Sequence, residues 1–145
     1  MKAENYIKIE FPSLSVNESF ARNAAAVFAA QLDPTLDEIG DIKTAVSEAV
    51  TNCIVHAYPN EIGNIQLRCR LFGKNTLEIV VRDWGVGIED VEKAMEPLFT
   101  TGGDERSGMG FSMMEGFTDS LKVRSVPGKG TTVTMKKRIS SRARR

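Results

Sequence analysis

Polar and apolar residues alternate at the start of the chain. From Tyr6 to Phe11 every second residue is apolar, which predicts a strand with one buried face that ends at Pro12. Ser15 and Glu18 have the spacing of a capping box and predict the start of a helix. One side of this helix carries Phe20, Ala24, Val27, Phe28 and Gln31.

A second helix is predicted after Asp33-Pro34, which ends the first one. Thr35 and Glu38 repeat the capping-box spacing at its start. The helical pattern then continues to about Ala57, before Tyr58-Pro59-Asn60 breaks it.

The remaining patterns are mostly those of strands. They predict strands at about 64–71 and 76–82, a short helix at 90–95, a loop at 96–108, a helix at 109–117, and strands at 120–126 and 131–137. The sum is an α+β fold, a two-layer sandwich with helices on one face of a mostly antiparallel, mixed sheet. We expect one domain over 1–138 and a basic, disordered tail at 139–145.

Composition and charge narrow the function classes. The chain has 145 residues, 41% hydrophobic and 26% charged, as in one soluble globular domain, and its longest apolar stretch, Ala24 to Ala30, is too short to cross a bilayer. We therefore expect a cytoplasmic protein.

The charge of the chain is unevenly distributed. The formal net charge is zero, but residues 136–145 hold six basic residues and no acid, so residues 1–135 carry a net charge of −6. An acidic body of this kind predicts no direct nucleic-acid partner. Cys53 and Cys69 are not spaced as C-x-x-C and are expected to be small buried hydrophobes.

Three segments have patterns that suit nucleotide chemistry. Glu48, Asn52 and His56 recur every four residues and form one polar stripe on the second helix, although a solvated face would show the same spacing. Asp83-Trp84-Gly85-Val86-Gly87 follows a buried strand, where a carboxylate can accept from an exocyclic amino group. Alone, such a pentapeptide is more often an ordinary glycine-rich turn.

The third segment is Gly108-Met109-Gly110, predicted at a helix start where free N–H groups favour anionic oxygens. Arg106 could add donors to a terminal phosphate, although in isolation such a segment is more often a tight loop-to-helix turn with a surface arginine. No G-x-x-x-x-G-K-[ST] sequence is present, which excludes a P-loop.

The order of the three segments resembles the ATP-binding domain of the GHKL superfamily, which has the Bergerat fold. Four segments are similar in sequence to the anti-sigma F factors, which are serine kinases of spore-forming bacteria. These segments are SLSVNESFAR, IKTAVSEAVTNCIVHAY, RDWGVGIEDVEKAMEPLFTT and ERSGMGFSMMEGF. The resemblance implies that Glu48 is the general base, Asn52 the Mg²⁺ ligand and Asp83 the adenine-reading carboxylate. It implies an ATP lid at about 96–108 and further ATP contacts from His56, Gly85, Gly87, Thr100, Thr101, Arg106, Ser107, Gly108, Met109, Gly110 and Thr131.

The resemblance also implies partners. The chain would be a homodimer that binds sigma F and, with Mg-ATP, phosphorylates a serine of an anti-anti-sigma protein, which regulates sporulation transcription. The only histidine, His56, lies in the predicted nucleotide site, so phosphorylation of the chain's own histidine is not expected. Arg22 is the only basic residue between Lys8 and Lys43 and is the candidate for partner binding, although a solubilising charge fits as well. Two alternatives stay open: a general-stress anti-sigma kinase of the same fold, and a nucleotide-gated binding module without transferase activity.

Overall fold

A computed structural model describes residues 2–96 and 105–140, with the backbone alone for 105–109. In chain order, its elements are β1 (Asn5–Pro12), α1 (Val16–Ala29), a 3₁₀ turn (Ala30–Leu32), α2 (Leu36–Asn52), a π-helical turn (Cys53–Ala57), β2 (Asn64–Phe72), β3 (Thr76–Asp83), α3 (Val91–Ala94), α4 (Glu105–Phe117), β4 (Ser120–Val126) and β5 (Gly130–Arg138). The predicted α+β class is confirmed.

The five strands form one sheet in the order β1-β2-β3-β5-β4. All four pairings among the described strands are antiparallel, so the structure shows no parallel pair there. Alternate residues of β2 and β3, such as Leu67, Cys69, Ile79 and Val81, point to one face and are at most 1% exposed. This face packs against the helices and forms the core of the two-layer sandwich.

Alanines determine how α1 packs. Ala21, Ala25 and Ala29 recur every four residues and are fully buried, which lets α1 approach α2 closely. The side predicted from the larger residues is therefore only partly buried: Phe28 is 7% exposed, but Phe20 is 60% and Val27 75% exposed. The amphipathic pattern indicated a helix, and the small residues, not the large ones, marked its packing face.

The two predicted capping boxes have different outcomes. At Thr35 the box is complete, because Thr35 Oγ1 accepts from Glu38 N (3.1 Å) and Glu38 Oε1 accepts from Thr35 N (2.8 Å). At Ser15 the prediction is wrong. Ser15 already has helical backbone angles and makes no side-chain cap, while the Glu18 carboxylate lies 3.6 Å from Arg22 instead.

The C-terminal boundary of the domain also needs correction. Ile139 was predicted to belong to the tail, but it is 1% exposed and its N–H donates to Asn75 O at 2.7 Å. Ser140 N donates to Glu38 Oε2 at 2.9 Å. The folded unit therefore extends to Ser140, and the rest of the predicted tail, 141–145, lies outside the described residues.

Candidate nucleotide site

A cavity of about 440 Å³ lies between the C-terminal end of α2 and the sheet. Five of the residues predicted to bind ATP line it: Asn52, His56, Asp83, Gly87 and Thr131. The other lining residues are Ala49, Cys53, Ala57, Val86, Ile88, Glu89, Asp90, Lys93, Ala94, Phe111 and Val133. The structure thus brings the helix stripe and the strand-end aspartate to one apolar cleft with a few polar groups, as small-ligand sites have.

The Asp83 carboxylate accepts three hydrogen bonds in the wall of the cavity. It is 5% exposed, and its Oδ1 accepts from Gly85 N (3.0 Å) and Thr131 N (3.1 Å). Its Oδ2 accepts from Cys53 Sγ at 3.4 Å. These three donors fix the carboxylate's orientation while Oδ2 keeps lone-pair capacity for a further donor.

Burial changes the acid–base behaviour of this pair. Desolvation raises the pKa of Asp83 above its ordinary value, and the hydrogen bonds from Gly85, Cys53 and Thr131 oppose that rise. Desolvation and the neighbouring Asp83 raise the pKa of the Cys53 thiol well above its ordinary value, so the thiol stays protonated and donates. Both cysteines are buried as predicted, but Cys53 also acts as a donor.

The two glycines of the turn after β3 allow close backbone approach. A Cβ on Gly85 would lie 2.2 Å from Ala57 O, and Val86 N donates to that same carbonyl at 3.0 Å. Gly87 has a φ of +78°, and its Cβ would lie 2.4 Å from Val126 O. The turn is therefore held directly against the π-helical turn and the end of β4.

Tyr58 connects three segments around the cavity. It is 5% exposed; its hydroxyl donates to Asn64 O at 2.7 Å and accepts from Trp84 N at 2.7 Å. Desolvation is the largest cause of the raised pKa of Tyr58. The sequence indicated this residue only as a helix stop, and its role in positioning the turn was missed.

A π-helical turn follows directly after Asn52 and contains His56. π-turns are rare and are frequent at functional sites, because the extra residue redirects the side chains that follow. Asn52 also contacts α4: a Cβ built on Gly110 would lie 3.0 Å from Asn52 Oδ1. The missing side chain at Gly110 makes room for the Asn52 carboxamide.

Thr131 and its neighbours support the opposite wall. Its hydroxyl lies 2.8 Å from Ser125 Oγ, which accepts from Ile88 N at 2.7 Å. This small network ties β4 and β5 to the segment after Gly87. Ser125 and Ile88 were not predicted, since they become neighbours only when the sheet forms.

The predicted loop-to-helix boundary near Gly108 is wrong. Helix α4 begins at Glu105, so Arg106, Ser107, Gly108 and Met109 are helical, and Gly110 lies in the second turn. Glycine lowers helix propensity by about 1 kcal/mol but does not exclude a helix when its neighbours form one. Thr100, Thr101 and most of the predicted lid, 97–104, lie outside the described residues.

Glu48 and Arg22 are not among the described residues that line the cavity. Glu48 is one helical turn before Asn52 on α2 and is half-buried. The Arg22 guanidinium is on α1, 3.6 Å from the Glu18 carboxylate, with its side chain 36% exposed. The polar stripe predicted along α2 therefore reaches the cavity at Asn52 and His56.

The metal-ligating side chains of this cavity suit a cation that is also bound by the phosphates of a ligand. No group of three or more His, Cys, Asp and Glu residues that could hold a metal is found in residues 2–96 and 105–140. Mg²⁺ commonly takes one or two protein oxygens and completes its shell with phosphate and water. One amide oxygen at Asn52 fits that mode and does not fit a metal held by protein alone.

Comparison with known proteins identifies the family. The sequence model of a protein family described as a histidine kinase-like ATPase domain matches residues 11–137. The anti-sigma F factor of Caldanaerobacter subterraneus subsp. tengcongensis is 60% identical over 140 residues, which cover 96% of this chain and 97% of that protein. The chain belongs to the anti-sigma F factor family. The family member of Thermoanaerobacter sp. strain X514 is 58% identical over 142 residues, covering 97% of this chain and 99% of that protein.

Solved structures support the same fold. The RsbU and RsbW domains of a Mycobacterium tuberculosis protein match with a TM-score of 0.67 at 20% identity, over 95% of this chain and 34% of that chain. The blue-light activated histidine kinase of Erythrobacter litoralis matches with a TM-score of 0.59 at 27% identity, over 77% of this chain and 33% of that one. An anti-sigma F family member with this ATPase domain binds ATP and belongs among ATP-dependent kinases. Within residues 2–96 and 105–140, no helix is long and apolar enough to cross a membrane.

Proposed function

We propose that this chain is a cytoplasmic serine kinase that uses Mg-ATP to phosphorylate an anti-anti-sigma protein and that binds and inhibits sigma F to regulate sporulation transcription. The observation that carries the proposal is the Asp83 carboxylate, buried in a cavity that Asn52 also lines. An ionised aspartate can accept from the adenine amino group, and Asn52 lies where the α2 stripe meets α4. The names of the relatives suggest sigma F as a partner.

The proposed phosphoryl transfer uses a different group for each step. Asn52 would hold Mg²⁺, which supplies charge neutralisation on the phosphates. Glu48 would take the proton of the substrate serine as its oxygen bonds to the γ-phosphorus. The bond from that phosphorus to the bridging oxygen breaks, and ADP leaves with the electron pair. The N–H groups of the first turn of α4, with Arg106, Ser107, Gly108 and Met109, would face the phosphates.

Partner binding would use the outer side of α1. Arg22 projects from one side of this helix, and Phe20 and Val27 leave apolar surface exposed on another side of it. Exposed charged and apolar side chains on one helix offer contact surface for sigma F or for a homodimer that also uses the β1 edge. We propose that sigma F and the anti-anti-sigma protein compete for the ATP form, with the predicted lid responding to ADP.

A nucleotide-gated binding module without transferase activity is the second candidate. Glu48, one helical turn from the lining residue Asn52, favours the kinase over this module because a pure binder needs no base. Labelled ATP and a candidate serine-bearing partner separate the two functions: the kinase transfers the label, and the module binds ATP without transfer.

The matched variant for this assay is Glu48→Gln, which keeps the shape of the side chain and removes its basicity. We expect nearly unchanged ATP affinity and a loss of transfer of at least about 100-fold, the lower end of the usual contribution of a general base. Transfer at the wild-type rate by Glu48→Gln would remove Glu48 from the mechanism, whereas a wild-type chain without any transfer would favour the module.

A further inference from the structure

The sheet has a second face, away from the helices, which we call the open sheet face. Residues paired across strands lie on the same face, so the register defines it. Lys8 pairs with Arg68, and Lys122 lies four strands from Lys8 in the same row. The cationic members of this face are Lys8, Arg68, Arg70, Arg82, Lys122, Arg124, Lys136 and Arg138.

The open sheet face concentrates positive charge. It carries eight cations and two acids, Glu10 and Glu78, so its net charge is +6. Because the formal net charge of the whole chain is zero, the remaining residues together carry −6. Glu78 accepts from Arg70 Nε at 2.7 Å, and Glu10 accepts from Gln66 at 2.8 Å. Alternate residues of each strand point to opposite faces, so folding collects these cations on one surface. This surface can neutralise phosphates although the body of the chain is acidic as a whole.

Aromatic rings lie among these cations. The Arg70 guanidinium lies 5.1 Å from the Phe72 ring centre, and the Arg82 guanidinium lies 4.7 Å from that of Trp84. Tyr6 pairs with Arg70 across β1 and β2 and is 64% exposed. Flat aromatic and guanidinium groups on an open sheet are the surfaces on which nucleic-acid bases stack.

We propose that the open sheet face binds single-stranded nucleic acid, with phosphates on its lysines and arginines and bases on Tyr6 and the neighbouring rings. The aromatic residues favour this partner over an acidic polypeptide, which needs the cations only. A symmetric contact between two copies through this face would bring +6 against +6, which disfavours a dimer of that kind. Arg68 Nε, near the centre of the face, is buried without a hydrogen-bond acceptor in the described part of the chain.

The electrostatic part is tested with a fluorescent 16-nucleotide single strand, as RNA and as DNA, and anisotropy at several salt concentrations. The variant Lys8→Gln with Lys122→Gln removes two exposed charges of one row. We expect affinity to fall at least tenfold and the slope of log K against log salt to shrink by about 1.4, since each lost contact to a single strand removes about 0.7. The control Lys2→Gln with Lys43→Gln removes the same charge elsewhere and should change affinity less than twofold.

The aromatic part is tested with Tyr6→Leu, at an exposed strand position where the fold should tolerate the change. We expect at least fivefold weaker binding of the single strand and unchanged binding of a 16-residue polyglutamate. Three results would each overturn the proposal: no binding of either oligonucleotide at 100 mM salt, equal losses from the face variant and its control, or polyglutamate bound as tightly as the oligonucleotide with no effect of Tyr6→Leu. The test needs no ATP and is independent of the kinase proposal.

Discussion

Cys53 Sγ donates a hydrogen bond to Asp83 Oδ2 at 3.4 Å and joins the end of α2 to the end of β3 inside the cavity. The bond lowers the pKa of Asp83, against the burial that raises it. The thiol therefore helps to keep ionised the carboxylate that we propose reads adenine.

Removing this donor should weaken nucleotide binding in a pH-dependent way. For Cys53→Ala we expect about fivefold weaker ATP binding at pH 7, the effect of about 1 kcal/mol for one hydrogen bond. Because the pKa of Asp83 rises further without the donor, the loss of affinity on acidification should begin at a higher pH. Cys53→Ser keeps a donor and should lie near wild type. Titrations from pH 8 to pH 5 check this, and overlapping curves for the wild type and Cys53→Ala would contradict it.

The burial of Asp83 should also appear in the stability of the nucleotide-free protein. Its pKa is raised from 3.8, so the folded state prefers the protonated form. The contribution of Asp83 to stability is fully present below pH 3.8 and is lost as pH rises through the folded-state pKa. Asp83→Asn does not titrate, and its Oδ1 can still accept from Gly85 and Thr131. We expect the variant to be the more stable protein at pH 7 and the difference to close toward pH 4. Urea unfolding across this range measures the difference in the free energy of unfolding between the two proteins. If the wild type becomes more stable relative to Asp83→Asn as pH rises, the raised pKa of Asp83 is contradicted.

Tyr58 should affect both stability and affinity. Tyr58→Phe leaves Trp84 N and Asn64 O without their partner, which costs about 1–3 kcal/mol. For a chain of this size we expect the melting temperature to fall by roughly 3–10 °C and ATP binding to weaken, because the turn with Gly85 and Gly87 loses an anchor. Tyr6→Phe, at an exposed tyrosine, is the matched control and should change neither value. Equal melting temperatures for both variants would show that the hydroxyl of Tyr58 has no such role.

Two glycines of α4 form a matched pair. Gly110→Ala places a Cβ 3.0 Å from Asn52 Oδ1, whereas a Cβ at Gly116 meets nothing within 4 Å. Alanine favours the helix by about 1 kcal/mol at either position. We therefore expect Gly116→Ala to raise stability and leave Mg-ATP binding unchanged, and Gly110→Ala to weaken Mg-ATP binding at least tenfold. If both bind Mg-ATP equally, the contact between α4 and Asn52 does not matter for the nucleotide.

Local signals predicted local structure well. Thr35 with Glu38 gave the correct helix start, and the turn after Leu71 gave the correct hairpin, because both depend on neighbours in sequence. Ser15 with Glu18 failed although its spacing is the same, since the backbone at Ser15 had already become helical. Pattern alone could not distinguish these two cases.

The interior of the site depends on pairs that are distant in sequence. Thr131 donates to Asp83 across 48 positions, Cys53 across 30, and Tyr58 bonds to Trp84 across 26. Asp83 was indicated by its place after a buried strand as well as by the family resemblance, and Thr131 by the resemblance alone. No local signal indicated the hydrogen bonds of Cys53 or Tyr58. The charge on the open sheet face was hidden for the same reason: it appears only when the strand register brings alternate residues of five strands together.

The central claim is that Asp83 reads adenine in the cavity between α2 and the sheet, and calorimetric titration with Mg-ATP and Mg-GTP tests it most directly. The adenine amino group can donate to the ionised carboxylate, whereas guanine presents a carbonyl oxygen at the equivalent position and would face it acceptor to acceptor. We predict saturable heat with ATP and at least 100-fold weaker binding of GTP, as for sites built to bond one polar group. Equal affinity for the two nucleotides, or no heat with ATP, would contradict the account.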